Sequence, residues 1–482
     1  MGYICMDTTF FASSSKLVNS GKVPYKDFFF CQFPVAPYFY GILQNILGFN
    51  LYSLRSINAL LGLIILLLCI VMAHRGSGYS GALTFAFLYS FNSFNIYNYS
   101  IGKMYSMVAF FLVVGVFFLT TKIKPILKNT LALSFIALSL ASRLTILPFY
   151  VFMVLYVYVD NRKSKKDYII PVLISLILLL AIFMPLLVLA KGQIYHDVFG
   201  LHVGQEKGPF DFGIKNRLMA LFQTFRFYFF PVVLIPLIFV PLKNVYQCQH
   251  DEPINKPLFV LFVWLGLFST MLGHFTVNWF TPAYQTMTFP VFALMLSIRY
   301  GLFVENLHRE DLKKIAILFL AIGSILMTVS YGKTSIWMHL GKPAYQYLKD
   351  VNDFLVTRTE TGDKILAFSS VVVVNANREL AKGTEAFPFT FTPSWDIKKC
   401  LNYKTVNVDI LESYFQSGEI KALVIDKDSF DIQFPGFYPT GEKDKQRIWN
   451  SINQYYFIAG TIPQFGSEFN DLLLYLLKTE NR

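Results

Sequence analysis

Two nearly unbroken apolar runs, Ile57–Ala73 and Ile169–Ala190, dictate most of what this chain can become. Runs of that length match the span of a bilayer, and in lipid the backbone is satisfied only when it coils into a helix or closes into a barrel. Further apolar stretches lie at roughly 79–96, 104–121, 129–145, 146–159, 221–242, 258–274, 286–300 and 315–330, which makes about ten crossings. The charged share agrees. Only 15% of residues are charged and 54% are hydrophobic, against about 25% charge in an ordinary soluble domain. That balance excludes a cytosolic enzyme, a fibrous chain and a disordered one. The 50 Phe and 28 Tyr suit a lipid face and its boundary.

The net charge of +12 invites a nucleic-acid reading, but the placement of the cations argues for topology. Arg75, then Lys122, Lys124 and Lys128, then Arg162, Lys163, Lys165 and Lys166 fall in alternate loops. Lys243, Lys256, Arg299, Arg309, Lys313 and Lys314 continue the series. Basic loops stay on the cytoplasmic side, so residues 1–54 and everything after 331 are expected outside a plasma (inner) membrane. No nucleic acid is needed. Because no apolar span precedes Asp7, this topology also leads us to expect a further helix upstream of Met1.

The region after 331 reads as a soluble α/β domain on the outer side. Ala344–Thr357 has helical spacing, Lys364–Phe368 and Ala422–Ile425 have buried-strand patterns, and Arg447–Tyr455 is amphipathic. Tyr456–Thr461 and Leu472–Leu477 read as late strands. No phosphate-loop or dinucleotide fingerprint opens a helix here, so no nucleotide cofactor is expected. The expected architecture is a multi-pass α-helical membrane protein with three parts. They are a first external segment (1–54) with interfacial helices, a bundle (55–330) and the C-terminal α/β domain (331–482).

The first segment carries the chemistry-bearing residues. It reads Asp7-Thr8-Thr9-Phe10-Phe11-Ala12, then Gly21-Lys22-Val23-Pro24-Tyr25-Lys26-Asp27-Phe28, then Gln32-Phe33-Pro34-Val35-Ala36-Pro37-Tyr38. Asp7 and Asp27 are the only acids before position 160. A carboxylate held at a lipid boundary is costly and therefore a functional candidate; the bland alternative is a solvated loop residue or a helix cap.

This pattern resembles the first external loop of GT-C glycosyltransferases. An acidic residue, G-x-x-P-Y-x-D-F, a P-x-x-x-Y segment and a Gly48…Arg55 pair before a membrane helix carry the likeness. Protein O-mannosyltransferase-like and aminoarabinose-transferase-like enzymes are the nearest in pattern. Tyr284-Gln285-Thr286-Met287-Thr288-Phe289-Pro290, entering a later helix, is consistent with it. The resemblance implies an inverting sugar transfer from a polyprenyl-phosphate donor to a hydroxyl of a lipid, glycan or protein acceptor. Asp7 falls on the family's general base, with Asp27 as its rival. Two departures stand out: Cys31-Gln32-Phe33-Pro34 replaces the Glu-Lys of some relatives, and Ile101-Gly102-Lys103-Met104-Tyr105 lacks a second acid.

Cations close to the bilayer are the expected ligands of the donor phosphate. Arg143, in a tight turn between two apolar runs, is one; Lys103 and Arg55 are the others, each with a snorkelling side chain as the alternative. Tyr25 and Gln32 in the motif, and His196 and His202 in the 191–220 loop, are candidate substrate contacts. That loop reads Tyr195-His196-Asp197, then His202-Val203-Gly204-Gln205-Glu206-Lys207. Its spacing matches no established metal-ligand set, so no cofactor is obligatory and a divalent metal has no support. A segment at Asn375–Arg378 is read as a lid. The alternatives to a transferase are a transporter or polymerase of lipid-linked glycans, or an inactive relative that binds them; the absence of internal repeats argues against a transporter.

Overall fold

In the computed structural model the described residues are 6–200, 214–235, 252–276, 281–307, 309–335, 344–430, 440–465 and 470–478. The chain divides into two compact units. One comprises Met1–Ile57, Met184–Asp211 and His339–Arg482; the other comprises Asn58–Phe183 and Phe212–Met338.

The second unit is helical. Among the described residues five helices are long and apolar enough to cross a membrane: Leu51–Ser90, Pro125–Ser142, Lys166–Ala190, Pro257–His274 and Glu310–Val329. Ser93–Ser100 and Tyr105–Leu119 make a sixth candidate, bent by 108°. The expectation of about ten crossings also counts shorter helices, Leu147–Asp160 and Phe289–Glu305 among them. Lys166–Ala190 leaves Leu173, Ile177, Leu180 and Val188 exposed, as a helix that faces lipid on most sides does. The sequence expects separate spans at 55–74 and 79–96. The structure has two helices within Leu51–Ser90, parted by a kink at Ser77 and Gly78, where Gly78 takes φ +68°. An L side chain rarely adopts that backbone. Nearby, a Cβ on Gly301 would stand 2.6 Å from Gly81 N, so two helix backbones touch here without side chains between them. Buried polar cross-ties join the helices, among them Tyr99 donating to the Thr286 carbonyl at 2.6 Å and Tyr228 to Asn95 Oδ1 at 3.0 Å.

The first unit joins the start of the chain to its end. Helices Met6–Asn19 and Val35–Leu47 pack together, with Ser15 Oγ 2.6 Å from Gln44 Oε1. The C-terminal part is a five-stranded sheet in the order β2-β1-β3-β5-β4. The strands are β1 (Lys364–Ala367), β2 (Glu379–Leu380), β3 (Ile420–Ile425), β4 (Tyr456–Phe465) and β5 (Asn470–Leu477). β1 pairs in parallel with β2 and β3, with Ala367 opposite Val424; β5 returns antiparallel, with Leu474 opposite Val424. The parallel pairs require helical crossovers. Ser370–Asn375 lies between β1 and β2, and Ile397–Tyr403 and Val408–Ser417 precede β3. Asn407 caps the last of these by accepting from Ile410 N at 3.0 Å. Leu366, Phe387, Leu411, Phe415, Leu423 and Ile448 form the core. The four valines 371–374 are strand formers by preference, yet they sit buried in a helix; packing overrides propensity here. Ser370 Oγ donates to the Thr9 carbonyl at 2.9 Å, and Lys16 Nζ reaches Asn377 Oδ1 at 3.1 Å. The opening helix is thereby tied to the C-terminal sheet region.

Candidate active site

In the first unit, Asp7 lies in the first turn of helix Met6–Asn19, and its side chain is outside the described residues. One turn on, Phe10 and Phe11 are buried, and Phe10 stacks on Phe30 at 4.7 Å. Pro24 prevents the chain after this helix from coiling, and Val23–Phe28 folds instead into a tight loop. Asp27 closes it: Val23 N donates to Asp27 Oδ2 at 2.7 Å and Asp27 N to the Val23 carbonyl at 2.9 Å. Tyr25, at φ +67°, turns its whole side chain inward, and its hydroxyl donates to the Gln32 carbonyl. Burial, with Asp197 adding to it, holds that hydroxyl well above the ordinary phenol range. The structure thus brings Tyr25, Asp27 and Gln32 into one stapled loop.

The segment 193–200 supplies a carboxylate that the sequence reading passed over. Asp197 is fully buried. Its Oδ1 lies 3.1 Å from His196 Nδ1, and Oδ2 has no hydrogen-bond partner. Burial pushes its pKa up to about 6; His196 and the Phe30 backbone N–H draw it back only in part. The His196 ring stacks on Tyr403 at 3.7 Å and meets Trp395 edge-on at 5.7 Å. The adjacent His-Asp pair was the available signal, but two neighbouring polar residues in a loop are usually solvated. His202 lies outside the described residues. Arg55 is half-buried in the first turn of Leu51–Ser90. Asn375–Arg378, read as a lid, is instead locked: Arg378 is buried and donates to the Thr359 carbonyl at 2.6 Å and to Thr359 Oγ1 at 2.9 Å.

In the second unit, Arg143 stands in extended conformation between Pro125–Ser142 and the short 3-10 turn Leu144–Ile146. Its guanidinium lies 4.5 Å over the Tyr284 ring. Such a cation–π seat holds the guanidinium in place. His274, near the end of Pro257–Thr276, faces the same Tyr284 ring at 5.7 Å and is completely buried. Lys103 rests on a different ring, Tyr105, at 5.5 Å, at the bend of the broken helix pair. Among the described residues no group of three or more His, Cys, Asp or Glu side chains is placed to hold a metal.

The two units define a multi-pass helical membrane protein carrying a C-terminal α/β domain. Neither a family model nor a curated protein sequence matches the chain. Solved structures do match in fold. ArnT from Cupriavidus metallidurans in the apo state superposes with a TM-score of 0.62 at 10% identity, over 98% of this chain and 94% of that one. The same protein bound to undecaprenyl phosphate gives 0.62 at 9%, over 98% and 94%. The Archaeoglobus fulgidus oligosaccharyltransferase in complex with Zn and sulfate gives 0.54 at 13%, over 99% and 69%. The chain shares its fold with these proteins.

Proposed function

We propose that this chain is an integral-membrane glycosyltransferase that moves a sugar from a polyprenyl-phosphate donor to an acceptor hydroxyl. One observation carries the reading: end-to-end likeness in fold to ArnT, a protein crystallised with undecaprenyl phosphate. The first-segment motif and the aromatic-seated Arg143 support it independently.

In this reading the acceptor oxygen attacks the anomeric carbon as its proton passes to the Asp7 carboxylate. The bond from that carbon to the phosphate oxygen breaks, with inversion, and the lipid phosphate leaves with one further negative charge. A positioned base contributes about 10²–10⁴-fold in rate. Arg143 answers the growing phosphate charge through charge-assisted hydrogen bonds. The alternation of basic loops supports placing this chemistry at the outer face of the plasma membrane. The scheme needs no nucleotide and no obligatory metal, and the acceptor is a lipid, a glycan or a protein.

The test is mass spectrometry of envelope glycans, glycolipids and glycoproteins from cells with and without the gene. Loss of one sugar residue, restored by the wild-type gene and not by Asp7→Asn, is the expected result. An intact precursor accumulating on the inner side would sink the reading in favour of transport.

A further inference from the structure

The short helix Ile397–Tyr403 in the C-terminal region has a packed side and an open one. Cys400 is fully buried, and Tyr403 stacks on the His196 ring at 3.7 Å. Ile397 and Leu401, one helical turn apart, are instead 47% and 56% exposed. The helix is held firmly. Asp396 Oδ1 caps it by accepting from Lys399 N at 2.8 Å, and Asn407 Nδ2 donates to the Trp395 carbonyl at 2.9 Å.

Charge surrounds that open apolar pair. Between positions 393 and 407 the chain holds Lys398, Lys399 and Lys404 against the single acid Asp396. Lys399 Nζ rests 4.1 Å over the Trp395 ring, and Lys404 Nζ donates to the Leu401 and Asn402 carbonyls at 3.3 and 3.1 Å. Rings and carbonyls carry no net charge, so these contacts fix two cations at the surface without neutralising them. Exposed aliphatic side chains beside Trp and Tyr, under a surplus of lysine, suit the boundary of an anionic bilayer.

The position of the helix agrees. Lys166–Ala190 is long and apolar enough to cross a membrane, and its last turns, Met184–Ala190, belong to the same unit as residues 339–482. Leu187, Val188 and Leu189 are exposed there, so lipid-facing surface runs to the end of that helix. Lys191 and Gly192, at φ +46° and +87°, terminate it, and Gln193–Tyr195 and His196–Gly200 coil again. A coiled chain advances only about 1.5 Å per residue, so His196, six residues past Ala190, stays close to the helix end. Tyr403 stacks on this same His196, and Trp395 meets it edge-on at 5.7 Å.

We propose that helix Ile397–Tyr403 is an interfacial anchor through which the C-terminal domain docks on the bilayer that holds the rest of the chain. Ile397 and Leu401 enter the headgroup layer, and the lysine charges draw anionic lipid to it. The His196–Tyr403 stack passes that hold to the segment 193–200. No sugar donor or acceptor enters this inference, which goes beyond the transferase reading and does not depend on it.

The experiment uses the full chain in nanodiscs of phosphatidylcholine alone, or of phosphatidylcholine and phosphatidylglycerol in equal parts. Amide hydrogen exchange is followed by mass spectrometry in the peptide spanning 395–404. Exchange there is expected to be slower in the anionic discs, and Lys398→Gln should shrink that protection about fivefold, one lysine's share of the attraction. The double variant Ile397→Gln, Leu401→Gln should lose the protection altogether while β3 exchanges as in wild type. Equal exchange of the wild-type peptide in the two kinds of disc overturns the proposal. Protection confined to discs that hold two chains assigns the face to a second copy and overturns the lipid assignment. Should the double variant unfold, shown by faster exchange in β3, photoactivatable phosphatidylglycerol decides on the wild type: adducts on 395–404 are expected, and none there overturns the anchor.

Discussion

Asp197 holds His196 Nδ1 at 3.1 Å with one carboxylate oxygen and leaves the other without a partner in a fully buried position. A carboxylate in that state prefers its proton. Its pKa is about 6 in the folded protein against an ordinary value of 3.8. The folded state therefore binds more protons than the unfolded one between those values, and the Asp197 contribution to stability falls as pH rises from about 4 to 6. Asp197→Asn removes that loss. Its unfolding midpoint should exceed wild type at pH 7–8, by a free energy on the order of 2 kcal/mol, and lose this advantage near pH 4. Thermal melts across that range check it; an Asn variant less stable at pH 8 would show that the charged pair with His196 outweighs burial.

Glu385 offers a parallel case in the C-terminal region. It is 5% exposed, Oε2 is unpartnered, and burial pushes its pKa up to about 7, against the opposing pull of backbone groups and Lys22. The same sign applies, with the window moved to roughly pH 4.5–7. Glu385→Gln should stabilise the protein at pH 8 and be neutral at pH 4. Melts of the single and double variants with Asp197→Asn will show whether the two effects add.

The two acids of the first segment should separate cleanly. Asp7→Asn is expected to lower sugar transfer by about 10²–10⁴-fold with folding unchanged. Asp27 is bonded to Val23 N at 2.7 Å, so Asp27→Ala should instead lower the unfolding midpoint, by about 1 kcal/mol. Turnover per folded molecule should change little. The reverse pattern would make Asp27 the base.

At the crossing near Gly301, a methyl group would meet Gly81 N at 2.6 Å and Cα at 2.7 Å. Backbone cannot swing aside as a side chain can. Gly301→Ala should destabilise the bundle by about 1–3 kcal/mol, whereas Gly362→Ala, with open space around it, serves as the neutral control.

Local pattern by itself determined a good deal. Ile57–Ala73 and Ile169–Ala190 lie inside helices, as a chain with no other way to satisfy its backbone in lipid must. Lys364–Phe368, Ala422–Ile425 and Leu472–Leu477 fall on β1, β3 and β5, because period and β-branching are properties of neighbours in sequence. The first-segment motif pointed to the right fold.

Tertiary structure decided the rest, for one physical reason: whether a polar group is buried and what it meets depends on residues far away in the chain. The valines 371–374 coil because the helix 6–19 and its Thr9 carbonyl receive them. Arg378, a lid residue by position, is a buried strut because Thr359 lies within its reach. Asp197 is a titrating carboxylate because its position is buried, beside the Phe30 backbone. His274 and Arg143, far apart in the chain, meet through the Tyr284 ring that lies against both.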